Sequence, residues 1–232
     1  LAMADFGFLD LAVELSTRPE KSIGTDEDWQ RATSALEQSL KEKNLNYEVN
    51  PQEGAFYGPK IDIKIKDALK RKWQCATIQC DFVLAQRFGL KFINSQGSEE
   101  PPVLIHRVIL GSLERFMGVL LEHYAGALPL WLAPIQVNII PIKTTAGEWA
   151  AQVALVLKEQ SIRVGLDSRN LTLDKKIRES EMGKIPYSVI LGEREAKAQT
   201  VAVRKRGEGK SMTMPLEDFV DRIKEESRNK VA

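Results

Sequence analysis

Two glutamines and a threonine interrupt an otherwise apolar stretch, residues 73–79, that has the composition of a β-strand. Because buried amides and hydroxyls cost free energy unless they are paired, Gln74, Thr77 and Gln79 predict either a ligand site or a buried polar network. Gln74 and Gln79 are five residues apart, so a regular strand would point them to opposite faces. If both contact one ligand, a bulge or a strand end must intervene.

Two further polar side chains flank a Gly-Pro turn. Tyr57 precedes Gly58 and Lys60 follows Pro59, and the restricted backbone of such a turn can hold both side chains at defined angles. The alternative is an ordinary turn with a solvated lysine. The residue types alone leave both interpretations open.

A possible phosphate site lies where a predicted strand leads into a helix. Ser112 is expected in the first turn of this helix, and Arg115 follows three residues later on the same side. Free helical amides, a hydroxyl and a guanidinium at one helix start can bind phosphate. The alternative, which the spacing alone favours, is an exposed arginine on an amphipathic helix.

A self-contained zinc site is not predicted. His106 ends an apolar strand, where a single histidine is more often a hydrogen-bonded core residue than a metal ligand. Cys75, Cys80 and His123 could join it, but the spacing of the two cysteines is unusual for zinc. The sequence also lacks P-loop and dinucleotide fingerprints and a plausible serine–histidine–carboxylate set.

The predicted strands and helices that position these residues fall into two groups along the chain. The isoleucines of residues 61–65 alternate with polar residues and predict a strand, which a short connection joins to residues 73–82 as an antiparallel pair. Residues 1–130 are therefore expected to form an α+β unit with an antiparallel sheet. Strands alternate with helices in residues 131–232, which predicts a compact α/β domain with a mixed sheet.

Three local features complete this prediction. Alternating apolar residues predict a strand near residues 11–15, and Asp26 is expected to cap the helix that follows it. Residues 103–106 are expected to form a buried strand.

Composition limits the class of protein. The formal net charge is +1, so any nucleic acid must be bound through local patches rather than a broad positive field. The apolar runs are too short to span a bilayer, the N-terminus lacks a secretory pattern, and two cysteines give no disulfide framework. These features predict a cytoplasmic protein with no membrane partner. The chain starts at Leu1, and we expect it to be a piece of a longer protein.

Three blocks of the sequence closely resemble consecutive signatures of threonyl-tRNA synthetases. They are Gly-Ala-Phe-Tyr-Gly-Pro-Lys-Ile-Asp at 54–62, Trp-Gln-Cys-Ala-Thr-Ile-Gln-Cys-Asp-Phe at 73–82, and Ile-His-Arg-Val-Ile-Leu-Gly-Ser-Leu-Glu-Arg-Phe at 105–116. Residues 16–21 and 131–134 also fit, and the blocks follow one another in the right order. The resemblance implies that residues 1–130 are the C-terminal part of a class II catalytic domain, including motif 3, and that residues 131–232 are an anticodon-binding domain.

The resemblance also implies roles for the polar residues. Arg115, Lys60 and Gln74 are expected to act in catalysis. ATP, with its Mg²⁺, is expected to contact Gln74, Thr77, Ser112 and Arg115. Threonine and its adenylate are expected to contact Tyr57, Lys60 and Gln79. His106 matches the histidine that binds the family's zinc ion, which holds threonine through its amino and hydroxyl groups and rejects valine.

The C-terminal domain is expected to read the anticodon of tRNA(Thr). The residues that match the family pattern are Asn170, Arg178, Glu195 and Arg204. Amide, carboxylate and guanidinium groups can pair with the exposed base edges of an unstacked loop. A local basic patch for phosphate is expected from Lys205, Arg206 and Lys210.

The resemblance places class II motifs 1 and 2 and two zinc ligands upstream of residue 1. This chain alone is therefore expected to be inactive, and homodimer formation is expected through the missing upstream part. Two other hypotheses stay open: a tRNA-binding module without catalysis, and another class II ligase such as a prolyl or glycyl enzyme. The block at 54–62 and His106 argue against another ligase.

Overall fold

Two separate sheets organise the chain. The structure, a computed structural model, describes residues 2–230. Its contacts divide the protein into the units Leu1–His123 and Tyr124–Ala232. The sequence analysis placed the boundary after residue 130, whereas Leu130 packs in the core of the second unit.

The first unit combines a five-stranded sheet with short helices. Its helices are α1 (Ala2–Asp5), α2 (Asp26–Glu42), α3 (Leu84–Arg87) and α4 (Leu113–His123). Its strands are β1 (Leu11–Ser16), β2 (Glu48–Asn50), β3 (Lys60–Lys66), β4 (Lys72–Asp81), β5 (Phe92–Ile93), β6 (Glu99–Glu100) and β7 (Leu104–Val108).

The order of the main sheet is β2-β1-β3-β4-β7. The pairs β1–β3, β3–β4 and β4–β7 are antiparallel, which confirms the predicted α+β class and the predicted hairpin. The edge pair β1–β2 is parallel, which the sequence did not predict. Ile61, Ile63 and Ile65 are buried on one face of β3, as their alternation indicated.

The start of α2 differs from the prediction by one residue. Thr25 is the N-cap: its hydroxyl accepts the N–H of Asp28, and the Asp28 carboxylate accepts the N–H of Thr25. Asp26 is instead the first helical residue and forms an ion pair with Arg18. The prediction of Asp26 was wrong because a threonine with an acidic residue three positions later is the stronger, reciprocal cap.

One buried carboxylate closes the β3–β4 turn. Asp67 accepts hydrogen bonds from the backbone N–H groups of Leu69 and Arg71 at 2.9 and 2.8 Å. It also accepts from the Arg71 guanidinium at 2.5 Å and the Trp73 indole at 2.9 Å. Burial alone would raise the pKa of Asp67, but the bonds from Trp73 and Arg71 lower it to about 2.

We expect Asp67→Asn to lower the unfolding temperature at neutral pH, because an amide cannot accept all of these bonds. The folded pKa of about 2 lies below the unfolded value of about 3.9, so the carboxylate stabilises the fold above about pH 4. That contribution is lost as the pH falls through the folded pKa. The difference in unfolding temperature between wild type and variant should therefore stay constant down to about pH 4 and close between about pH 4 and about pH 2. A gap that never closes would contradict the assignment, and Asp10→Asn, in an exposed pair with Lys66, is the control.

The second unit alternates strands and helices. Its helices are α5 (Gly147–Glu159), α6 (Leu173–Met182), α7 (Glu193–Ala198) and α8 (Leu216–Arg228). Its strands are β8 (Val137–Pro141), β9 (Val164–Leu166), β10 (Tyr187–Leu191), β11 (Thr200–Lys205) and β12 (Met212–Pro215).

The second sheet is mixed, as predicted. Its order is β12-β11-β10-β8-β9, with β8 parallel to both β9 and β10 and with β11 antiparallel to both neighbours. Val137, Val189 and Val201 are fully buried in the core, together with Phe219 of α8. Within residues 2–230, no helix is long and apolar enough to cross a bilayer.

Candidate active site

A bulge in β4 brings the two glutamines to one face of the sheet. Lys64 pairs with Gln74 and Ile63 pairs with Ala76, so Cys75 is an extra residue. The extra residue offsets the odd spacing of the glutamines. Gln74 thereby joins Thr77 and Gln79, which alternate regularly after the bulge. A bulge was one of the two arrangements by which both glutamines could contact one ligand, and the structure contains it.

A close backbone approach positions Tyr57 and Lys60. A Cβ on Gly58 would lie 1.9 Å from the carbonyl oxygen of Cys80, so only glycine fits where this turn packs on β4. The Tyr57 hydroxyl donates to Gln79 Oε1 at 2.6 Å. Lys60 is the cross-strand partner of Gln79. The Gly-Pro turn therefore presents both predicted side chains to the glutamine face.

Three site residues converge on a carboxylate that the sequence analysis missed. Asp62 Oδ1 accepts from Gln74 Nε2 at 2.6 Å and from Thr77 Oγ1 at 2.7 Å. Asp62 Oδ2 lies 2.8 Å from the Lys60 ammonium. Asp62 is only 3% exposed. Its alternation with isoleucines indicated a polar face, but nothing in the sequence showed that this face is covered.

His106 lies on the same face and is held by a buried aspartate. His106 is the cross-strand partner of Gln79, and its Nε2 lies 2.9 Å from Asp81 Oδ2. The other carboxylate oxygen accepts the backbone N–H groups of Val83 and Leu84, both at 2.9 Å. Burial raises the pKa of Asp81, but the bonds from Leu84, His106 and Val83 outweigh it and lower that pKa.

An ionised Asp81 leaves His106 Nδ1 as the ring atom open to a ligand. Within residues 2–230, however, no group of three or more His, Cys, Asp or Glu side chains could hold a metal ion. His106 can therefore offer one nitrogen to a metal ion, and the described residues supply no further ligands beside it.

Arg115 is joined to the bulge. Gly111 has φ of +70°, and a Cβ there would lie 2.8 Å from the Cys75 carbonyl oxygen, so glycine lets the turn before α4 approach β4. The Arg115 guanidinium donates to the backbone oxygen of Gln74 at 3.2 Å and lies 6.0 Å from the Trp73 ring centre. The side chain remains exposed and can reach a ligand.

Ser112 precedes α4 rather than lying in its first turn as predicted. Its hydroxyl accepts the Arg115 N–H at 3.2 Å and donates to Glu114 at 2.9 Å. The helix begins at Leu113 because a side-chain cap occupies the position before it. Ser112 and Arg115 still lie at one helix start, as the phosphate hypothesis requires.

Strand β7 is not the buried strand that residues 103–106 predicted. It is an edge strand of the described sheet, and most of its residues are exposed. Ile105 is 66% exposed, and Leu113 at the start of α4 is 63% exposed. The apolar residues of this region therefore lack cover within residues 2–230.

In the second unit, an arginine ties the loop of Asn170 to α6. Arg169 forms ion pairs with Asp167 and Glu179, both at 2.7 Å. The bond from Arg169 lowers the pKa of Asp167 despite its burial. These residues line a cavity of about 380 Å³ beside the exposed Asn170.

The remaining predicted anticodon residues lie on or near α6 and α7. Arg178 is exposed on α6, and Arg204 forms an ion pair with Glu181 of the same helix at 2.5 Å. Glu195 lines a separate cavity of about 410 Å³. One of its oxygens accepts the N–H of Gly192 at 2.8 Å. Helix α6 therefore carries Arg178, contacts Arg204 through Glu181, and contacts the loop of Asn170 through Glu179.

The predicted basic patch is partly used inside the protein. The Arg206 guanidinium donates to the backbone oxygens of Lys184, Ala127 and Leu128. Lys205 contacts Glu226 at 3.3 Å. The patch was overestimated because backbone carbonyls that are distant in sequence compete for these cations, and Lys210 remains exposed.

Comparison with known proteins defines the class. Residues 5–124 match the model of the tRNA synthetase class II core domain (G, H, P, S and T), and residues 136–226 match the anticodon binding domain. The chain therefore belongs to the class II aminoacyl-tRNA synthetases of this group.

Within that class, threonine–tRNA ligases are among the proteins that this chain resembles. The threonine–tRNA ligase of Clostridium kluyveri is 50% identical over 98% of this chain, and that of Maridesulfovibrio salexigens is 54% identical over 88%. A crystal structure of the RNA binding domain of threonyl-tRNA synthetase from Cryptosporidium parvum Iowa II has a TM-score of 0.89 and 39% identity, covering 97% of this chain and 56% of that one. The chain spans only 36% of the Clostridium kluyveri relative and 32% of the Maridesulfovibrio salexigens relative.

Proposed function

We propose that the chain is part of a threonine–tRNA ligase that activates threonine with ATP and transfers it to tRNA(Thr) in the cytoplasm. The observation that carries this proposal is the polar face of the first sheet, where the β4 bulge aligns Gln74, Thr77 and Gln79 beside Lys60. Relatives at 50% identity that are threonine–tRNA ligases support the choice of amino acid.

In the first step, a carboxylate oxygen of threonine attacks the α-phosphorus of ATP and pyrophosphate leaves. Negative charge develops on the phosphate oxygens, and Arg115 and Lys60 stabilise it with their positive charges. Gln74, Thr77 and Ser112 orient the nucleotide. Tyr57 and Gln79 border the amino acid, and their mutual hydrogen bond fixes both side chains. In the second step, a ribose hydroxyl of the tRNA attacks the acyl carbon and AMP leaves.

We propose that His106 is one of the zinc ligands, with the others supplied by sequence outside this chain. When bound, zinc provides Lewis-acid coordination of the amino and hydroxyl groups of threonine, which valine cannot offer. Asp81 contributes by fixing the orientation of the His106 ring. Mg²⁺ accompanies ATP, and the enzyme acts as a homodimer through its upstream part.

The second unit is proposed to bind the anticodon loop. Asn170 and Arg178 offer exposed donors and acceptors to base edges, and Arg204 and Glu195 lie on neighbouring elements. The ion pairs of Arg169 support this assignment, because they hold the Asn170 loop against the helix that carries Arg178.

The test is ATP–pyrophosphate exchange with threonine, valine and serine in the presence of zinc, using the protein at its natural length. We expect threonine-dependent exchange by that protein and none by residues 1–232 alone. Filter binding of tRNA(Thr) to both forms should show binding that Asn170→Ala and Arg178→Ala weaken. Binding of tRNA without threonine-dependent exchange by the long form would instead favour a non-catalytic tRNA-binding module.

A further inference from the structure

The Asp62 carboxylate determines which hydrogen-bonding group Gln74 can offer a ligand. An ionised carboxylate only accepts hydrogen bonds, so the Gln74 atom that lies 2.6 Å from Asp62 Oδ1 is the amide nitrogen. The Thr77 hydroxyl donates to the same oxygen at 2.7 Å and accepts from Gln74 Nε2 at 2.9 Å. The side-chain nitrogen of Gln74 therefore faces Asp62 and Thr77, and its side-chain oxygen Oε1 remains as an acceptor.

The same carboxylate also holds a cation. The ammonium of Lys60 lies 2.8 Å from Asp62 Oδ2, and the two side chains are 21% and 5% exposed. A pair that is mostly removed from water is more strongly coupled than a surface pair. The buried carboxylate of Asp62 thus fixes the positions of the Gln74 amide, the Thr77 hydroxyl and the Lys60 ammonium. All three lie on the face that we propose binds the substrates.

We infer that Asp62 is a positioning residue of the aminoacylation site. It fixes the amide of Gln74 so that this residue presents an acceptor to an N–H or O–H donor of the bound nucleotide, and it holds Lys60 in place for phosphate. This inference rests on the proposed function of the same face. It concerns a residue that acts through Gln74 and Lys60 rather than by touching the substrates.

The neighbouring carboxylate Glu14 provides a matched control. Glu14 is the cross-strand partner of Asp62 and is also buried, at 6% exposed. It accepts from the Lys64 ammonium at 2.6 Å and from the Asn50 amide at 2.7 Å. The two carboxylates therefore share burial and chemistry, but Glu14 contacts none of the proposed substrate-binding side chains through these bonds.

The kinetic test uses Asp62→Asn and Glu14→Gln in the protein at its natural length. We expect Asp62→Asn to lower kcat/KM for ATP in threonine-dependent exchange by about 10- to 100-fold, the effect of losing charge-assisted hydrogen bonds. Glu14→Gln should stay within about twofold of wild type at a similar loss of thermal stability. Equal kinetic losses in both variants would overturn the inference.

A double-mutant cycle tests action through Gln74. If Asp62 positions this amide, Asp62→Asn should cost at least about threefold less in the Gln74→Ala background than in wild type. If the fold losses of the two single variants simply multiply in the double variant, Asp62 does not act through Gln74. That result would overturn this part of the inference.

Acetylation of Lys60, followed by mass spectrometry, gives a readout that does not depend on activity. Release from Asp62 should raise Lys60 labelling at least about threefold in Asp62→Asn and leave it unchanged in Glu14→Gln. If the long wild-type protein shows no exchange, the proposed function fails, and the labelling still decides whether Asp62 holds Lys60. Unchanged labelling in Asp62→Asn would overturn the assignment.

Discussion

Replacing Arg115 by alanine is expected to reduce kcat for threonine-dependent ATP–pyrophosphate exchange by about 100- to 1,000-fold in the protein at its natural length. The guanidinium reaches the glutamine face from the start of α4, bonded to the backbone oxygen of Gln74, and its side chain is exposed. It can therefore meet the charge that develops on the phosphates. Because the residue is exposed, its loss should change the unfolding free energy by no more than about 0.5 kcal/mol.

Steady-state exchange kinetics and thermal unfolding together check this prediction. Arg115→Lys keeps the charge but loses the planar fork, so it should recover only part of the lost activity. Arg107→Ala is the control, since this exposed arginine pairs with Ile78 and lies on the opposite face of β7 from His106. A nearly normal kcat in Arg115→Ala would show that Arg115 does not act in catalysis.

Replacing His106 by alanine is expected to lower the zinc content of the long protein from about one ion per chain to less than about a tenth. Zinc in catalytic sites has about three protein ligands, so loss of one removes a large share of the affinity. Asp81→Asn should reduce zinc affinity by about 10- to 100-fold, because the ring would lose the partner that fixes its tautomer.

Metal analysis of the purified proteins measures this effect without any assay of activity. His123 is the only other histidine of the chain and is the natural control, because His123→Asn should keep its zinc. Exchange with valine should rise relative to threonine in His106→Ala, since the chelating contact would be gone. Full zinc occupancy in His106→Ala would refute the role of His106 as a ligand.

Local patterns predicted most of the elements. The alternating isoleucines predicted β3, the short connection predicted the antiparallel hairpin, and the α/β rhythm predicted the second sheet. The five-residue spacing of Gln74 and Gln79 indicated that a bulge or a strand end was needed if both contact one ligand, and the structure has a bulge. These features depend on neighbours within a few residues, and such spacing can be read directly.

Features that depend on register between distant strands could not be predicted. Asp81 and His106 are 25 residues apart, and their contact follows from the pairing of Gln79 with His106. Asp62 looked like any polar residue on an alternating strand, because its burial depends on Lys60, Gln74 and Thr77 packing over it. The edge position of β7 was equally hidden, since an apolar sequence does not reveal whether a neighbouring strand is present.

The β4 bulge has a consequence for how this strand tolerates insertions and deletions during evolution. Cys75 has no cross-strand partner on β3, so its deletion would leave every other pair of the hairpin in register. We therefore expect relatives that lack this one residue to keep both glutamines on the same face. A deletion after Gln79 would instead shift Asp81 and its pairing with β7 by one residue, and the side chain that holds His106 would turn to the other face.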